Sequence, residues 1–181
     1  MKGVIFSEFI EMVEQAFSPE IADQIIEQAN LASEGAYTSV GTYDHQEILS
    51  LVSELSAVTS IPVETLVNTF GEHMFERFHA LYPFIFEGIS NAFEFLSRIE
   101  DHVHAEVRKL YSDTELPTFE VRYPSDNTLE MVYRSRRPFG LLAKGLIQGC
   151  IKHYGENITI DMEDLSTDDG SHVHFMLTRH A

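Results

Sequence analysis

Apolar residues recur at mixed three- and four-residue spacing through the first 111 positions and at alternate positions in much of the remainder. By period, the chain divides into a helical first part and a second part that contains strands. Val4, Ile5, Phe6, Phe9, Ile10, Met12, Val13 and Phe17 predict an opening helix with a wide apolar face. Ser18-Pro19-Glu20 carries the cap, first-turn proline and early acid of a second helix, running to about Leu31. A loop is expected over Gly35 to Gly41. Asp44 and Glu47 match a capping box ahead of the stripe Ile48, Leu51, Val52, Leu55 and Val58. Pro62 starts a further helix, ending near Gly71. From Met74 to Tyr111 the pattern stays helical, interrupted at Tyr82-Pro83.

The period then changes. Thr118–Tyr123 and Leu129–Arg137, separated by Pro124-Ser125-Asp126-Asn127, predict a hairpin. Pro138 opens a helix to about Tyr154. Ile158, Ile160 and Met162 alternate, Asp168-Asp169-Gly170-Ser171 predicts a turn, and Val173, Phe175 and Leu177 alternate again. The expected fold is α+β, with a helical part over 1–111 and an antiparallel ββαββ part over 112–181, in one domain sharing one core.

Composition narrows the class of partner. The 181 residues carry 12 Lys+Arg against 29 Asp+Glu, a net charge of −17, which argues against nucleic acid and anionic membrane surfaces. The longest apolar run, Ala80 to Phe86, is far short of the roughly 20 residues of a spanning helix. Cys150 is the single cysteine, so no internal disulfide is available, and the expected compartment is the cytoplasm. Lys2 is followed quickly by Glu8 and Glu11, which does not fit a secretory signal.

Against that acidity, Arg134, Arg136 and Arg137 cluster beside Tyr133 and Ser135. In a strand, Tyr133, Ser135 and Arg137 share a face and line up a phenol, a hydroxyl and a guanidinium. That row suits two adjacent carboxylates on a ligand; the alternative is a basic edge strand protected against aggregation. Among nine histidines, His102 and His104 flank the stripe Leu96, Ile99, Val103, Val107 and Leu110. Periodicity does not choose between them, although Phe93, Ser97 and Glu100 lie on the His104 side. Such an imidazole is either a hydrogen-bonded residue at the edge of the core or an axial ligand to a metal macrocycle.

Tyr133-Arg134-Ser135-Arg136-Arg137 reads Y-x-S-x-R, and Val103-His104-Ala105-Glu106-Val107 resembles the H-x-x-V stretch of the H-NOX family of haem-binding nitric oxide and oxygen sensors. Met1-Lys2-Gly3-Val4-Ile5-Phe6 is similar to that family's opening, and the resemblance runs along the whole chain. It implies haem b between the two parts, with His104 as the proximal iron ligand and Tyr133, Ser135 and Arg137 on the propionates. It also implies that Pro117 presses on the porphyrin, that Ile5 lies against the distal face and that Phe78 is a further wall. Relatives that retain dioxygen use distal tyrosine, tryptophan and asparagine. The matching positions here are Leu142, Phe9 and Met74, with Leu146 nearby, and the chain has no tryptophan.

An apolar distal pocket implies nitric oxide, with carbon monoxide as a second ligand, in preference to oxygen. The implied signal is a change of shape after weakening of the iron–His104 bond. No catalysis is expected. Resemblance to bacterial stand-alone members implies a histidine kinase or cyclic-di-GMP enzyme as partner. Zinc is not expected from Cys150, although His172 and His174 share a strand face and could chelate a metal. The competing readings are a peroxidase-type haem enzyme, a haem-free pocket for an acidic small molecule, and a histidine-based metallohydrolase.

Overall fold

A computed structural model describes residues 1–167 and 170–181. Its helices are α1 (Gly3–Ala16), α2 (Pro19–Gln28), α3 (His45–Thr59), α4 (Val63–Leu81), α5 (Ala92–Ser97), α6 (His104–Leu110) and α7 (Gly140–Tyr154); its strands are β1 (Thr118–Ser125), β2 (Thr128–Arg134), β3 (Ile158–Asp164) and β4 (His172–Arg179). The four strands form one antiparallel sheet in the order β1-β2-β4-β3. The fold is therefore the expected α+β, helices first and ββαββ second. Residues Asp168 and Asp169 of the expected turn lie outside the described residues.

Local chemistry accounts for most boundaries. The Ser18 side chain accepts the Ile21 N–H at the start of α2, and Asp44 accepts the Gln46 N–H at the start of α3. The capping box is only half made. Glu47 is buried and accepts the Ser33 and Tyr37 hydroxyls, tying α3 to the preceding loop. Strand β2 ends at Arg134, so Ser135 and Arg137 continue beyond the sheet instead of within it.

Gly71 does not end a helix. It lies within α4, where α4 crosses α7 at the close approach of Gly71, Gly145 and Gly149. A Cβ on Gly145 would collide with the Asn68 backbone oxygen and stand 2.8 Å from the Gly71 Cα. Gly145→Ala is therefore expected to lower stability by about 1–3 kcal/mol through forced separation of the two helices, read as a lower urea midpoint with an unchanged slope.

The buried side chains form two clusters where one shared core was expected. Phe6, Phe9, Ile25, Leu51, Leu55, Phe70 and Met74 belong to the N-terminal helices. Phe95, Leu96, Leu129, Met131, Tyr133, Ile147 and Phe175 belong to the sheet half. Helices α4 and α7 contribute to both clusters, and Leu146 packs against each. No single helix among the described residues is long and apolar enough to cross a membrane.

Candidate functional site

Between the clusters lies a cavity of about 280 Å³. Ile5 on α1, Phe78 on α4 and Leu142 and Leu146 on α7 contribute its apolar wall. Leu96, Ile99, Val103, Val107 and Leu110 also line it, so the apolar stripe of the α5–α6 segment faces the cavity along its length. Pro117 and Phe119 add the start of the sheet half. Phe9 and Met74 are not on this wall; both are fully buried in the N-terminal cluster, where Phe9 meets Phe70 edge-on at 5.1 Å.

His104 is the one imidazole among the described lining residues. It opens α6 directly after a π-helical turn, Ile99–Val103, in which the Val103 N–H reaches the Arg98 carbonyl. Its Nδ1 lies 3.2 Å from Glu100 Oε1. Donation from Nδ1–H to that carboxylate leaves the Nε2 lone pair free. His104 is 7 % exposed, and its pKa is lowered from the ordinary value, chiefly by burial and further by Arg108, with Glu100 acting in the opposite sense. A neutral imidazole is the form that can ligate a metal. His102 does not line the cavity, and its Nε2 sits 2.8 Å from the Ile85 carbonyl. The structure thus separates two residues that periodicity could not.

Tyr133, Ser135 and Arg137 all reach the cavity. The phenol of Tyr133 is pushed up by burial, against hydrogen bonding with Ser135 and the Phe139 backbone. Ser135 Oγ accepts the Arg137 N–H at 3.1 Å, which folds the chain so that both side chains follow Tyr133 into the same space although the strand has ended. The Arg137 guanidinium is 2.9 Å from Glu115. A second cation, Lys2, is 9 % exposed and bonds Asp113, Thr42 and the Val40 carbonyl at this same wall. The arrangement offers one imidazole lone pair in a greasy slot and a set of carboxylate-binding donors.

Two further phenols, Tyr82 and Tyr111, line the cavity and lie hydroxyl to hydroxyl at 2.8 Å, one donating to the other. His172 and His174 fall outside the cavity lining; His174 pairs with Glu130 at 2.9 Å across the sheet. Among the described residues no group of three or more His, Cys, Asp or Glu is arranged to hold a metal ion. Sequence reasoning placed Glu100 on the right flank but gave it no role. Its four-residue spacing from His104 was the available signal. Lys2 and Glu115 were missed because their proximity arises from loops.

Comparison with known proteins identifies the fold and the family. The Haem-NO-binding family model matches residues 2–162. The fold superposes on the Fe(II) unliganded H-NOX protein from K. algicida with a TM-score of 0.93 at 40% identity, covering 100% of this chain and 97% of that one. The Fe(II)CO H-NOX from Shewanella woodyi, bound to IWP-051, gives 0.85 at 40% identity, with 99% and 95% covered. The S. oneidensis H-NOX in the Fe(II)NO state gives 0.92 at 23% identity, with 100% of each chain covered. No curated protein sequence matches the chain. Family model and solved relatives span the two helical and sheet halves together, and the chain belongs to the Haem-NO-binding, or H-NOX, family.

Proposed function

We propose that residues 1–181 act as a single haem b-binding sensor domain, selective for nitric oxide over oxygen, that signals by a change of shape to a separate protein. The observation that carries the reading is His104, a buried imidazole on the cavity lining whose Nδ1 lies within hydrogen-bond distance of Glu100, an arrangement that leaves Nε2 to a ligand. The residues present fit haem in kind: an axial nitrogen, an almost wholly apolar wall, and Tyr133, Ser135 and Arg137 for two carboxylates. Bound haem supplies an iron with one position open to a gas.

Each residue then has a task. His104 would hold the iron through Nε2. Ile5, Phe78, Leu142 and Leu146 form an apolar wall, with Phe9 and Met74 buried in the cluster that supports it. Dioxygen gains from a hydrogen-bond donor because it carries partial negative charge, whereas nitric oxide and carbon monoxide depend on one far less; an apolar wall therefore favours the latter pair. Pro117 and Ile5, which line the cavity from the sheet half and from α1, would press on bound haem, so its fit would depend on the distance between those two elements. His104 opens a seven-residue helix behind a π-helical turn, and a changed pull on its side chain would act on that short element as a unit.

The family description and the carbon monoxide state of the S. woodyi relative support the choice of ligands. The same apolar wall argues against peroxidase chemistry, which needs a polar acid–base group beside the substrate. A histidine kinase or cyclic-di-GMP enzyme in the cytoplasm is the proposed partner, with no zinc, nucleic acid or membrane involved.

The test is an absorption spectrum of the reduced protein without air, then with air and with nitric oxide separately. A ferrous histidyl spectrum that changes with nitric oxide and returns no lasting oxygen form supports the reading. A lasting oxygen form overturns the selectivity, and no Soret band after reconstitution leaves the cavity to an acidic, haem-free ligand. Arg137→Ala is expected to weaken haem retention about 10- to 150-fold, the worth of a charge-assisted hydrogen bond at about 1.5–3 kcal/mol. Transfer of haem to a scavenging globin measures it.

A further inference from the structure

We infer that Glu100 is a positioning residue that joins His104 to strand β1 through one shared carboxylate oxygen, so that whatever shifts His104 is felt at the edge of the sheet. The inference deepens the haem reading and rests on it for the pull on His104; the bridge itself stands on geometry. Glu100 is the second residue of the π-helical turn before His104. Its Oε1 accepts from His104 Nδ1 at 3.2 Å and from the Phe119 N–H at 2.8 Å.

Phe119 is the second residue of β1, two positions after Pro117, and it faces Tyr133 in the β1–β2 register. Its ring stands 6.1 Å from that of His104 and 5.4 Å from that of Tyr133. One oxygen therefore meets the imidazole from one direction and the first rungs of the sheet from another. The path His104–Glu100–Phe119–Tyr133 links the axial nitrogen to the donor row without passing through the N-terminal helices.

Two donors on one acceptor compete. The imidazole bond is the longer of the two. When His104 turns or withdraws, the oxygen's acceptor capacity goes to the Phe119 N–H, and that bond tightens. When His104 donates fully, the carboxylate draws on Nδ1–H and makes Nε2 a better donor to a metal. Glu100 is about a third exposed, at 32% for its side chain, so it has room to follow either partner. An exposed neighbour on the same turn, Asp101, has no such contacts and serves as the control.

The experiment uses the full chain, cofactor-free and haem-reconstituted, as wild type, Glu100→Gln, Glu100→Ala and Asp101→Asn. Nitrogen-15 NMR of the cofactor-free chain at pH 8 reads the His104 tautomer. Wild type is expected to hold the proton on Nδ1, and Glu100→Ala to move the population toward Nε2–H. Amide exchange at Phe119 is expected to rise about fivefold or more in Glu100→Gln, the difference between a charged and a neutral acceptor. In the reconstituted protein the iron–histidine stretching band is expected to move to lower wavenumber in Glu100→Gln. Nitric oxide is expected to slow Phe119 exchange in wild type and to leave it unchanged in Glu100→Ala.

An unchanged tautomer and an unchanged stretching band in the Glu100 variants would overturn the inference, as would Phe119 exchange that ignores both substitution and gas. A response of tautomer and exchange in a chain that takes up no haem would uphold the bridge and overturn the haem reading.

Discussion

Replacing His104 by glycine is expected to give a protein that holds haem only when imidazole is supplied. The side chain is 7 % exposed, lines the cavity and stands 6.1 Å ring to ring from Phe119, so its removal leaves an imidazole-sized space open to the cavity. Free imidazole can occupy that hole and ligate from it, but it has no covalent link to α6. Haem retention should then rise with imidazole concentration and saturate, while the gas no longer moves the helix. The absorption spectrum follows the first effect, and amide exchange along α6 follows the second. Native ligation in the variant without imidazole would remove His104 from the site and return attention to His102.

The second large effect is expected from Leu142→Tyr. Leu142 lies on α7 and lines the cavity with the apolar Ile5, Phe78 and Leu146, so a phenol there adds a hydroxyl to that wall. A hydrogen bond to a partly charged ligand is worth about 1.5–3 kcal/mol, which raises oxygen affinity about 10- to 150-fold. Nitric oxide affinity should change little, so the ratio between the gases is the informative quantity. Oxygen titration of the reduced variant checks it. If oxygen retention does not rise, selectivity resides elsewhere than in the polarity of this wall.

Elements with strong local chemistry were legible in the chain. Ser18 and Asp44 cap where their side chains can reach the next free N–H groups, and the ββαββ order follows from the change of period after Tyr111. What the sequence hid was long-range. Glu47 satisfies the local pattern of a capping box yet is used by Ser33 and Tyr37, because a buried acid is better placed against two hydroxyls than against one backbone group. Gly71 reads as a helix stop, and only the partner helix shows that its missing Cβ is spent on close packing against Gly145.

For the site, Tyr133, Ser135 and Arg137 were legible as a set, but for a reason that holds only in part. Alternation along a strand through Arg137 would put them on one face. In fact the strand ends at Arg134, and the Ser135 Oγ to Arg137 N–H bond brings the set together. His104 and His102 are two residues apart on one segment, and helical phase alone left both at the edge of the buried face. The π-helical turn alters that phase, which no propensity reveals. Phe9 and Met74, which the resemblance assigns to the distal side, lie buried in the N-terminal cluster behind Ile5, Phe78 and Leu142 and do not themselves line the cavity.

The cavity sits at the seam of two buried clusters that meet chiefly where α4 crosses α7. A molecule bound at such a seam touches both halves at once, and its binding energy adds to the resistance of each to melting, about 4 kcal/mol when free ligand exceeds its dissociation constant a thousandfold. Unfolding of either half then releases the ligand and weakens the other. Cooperativity becomes a property of occupancy: loaded, the chain melts in one transition; emptied, the helical half and the sheet half are free to part company at different temperatures.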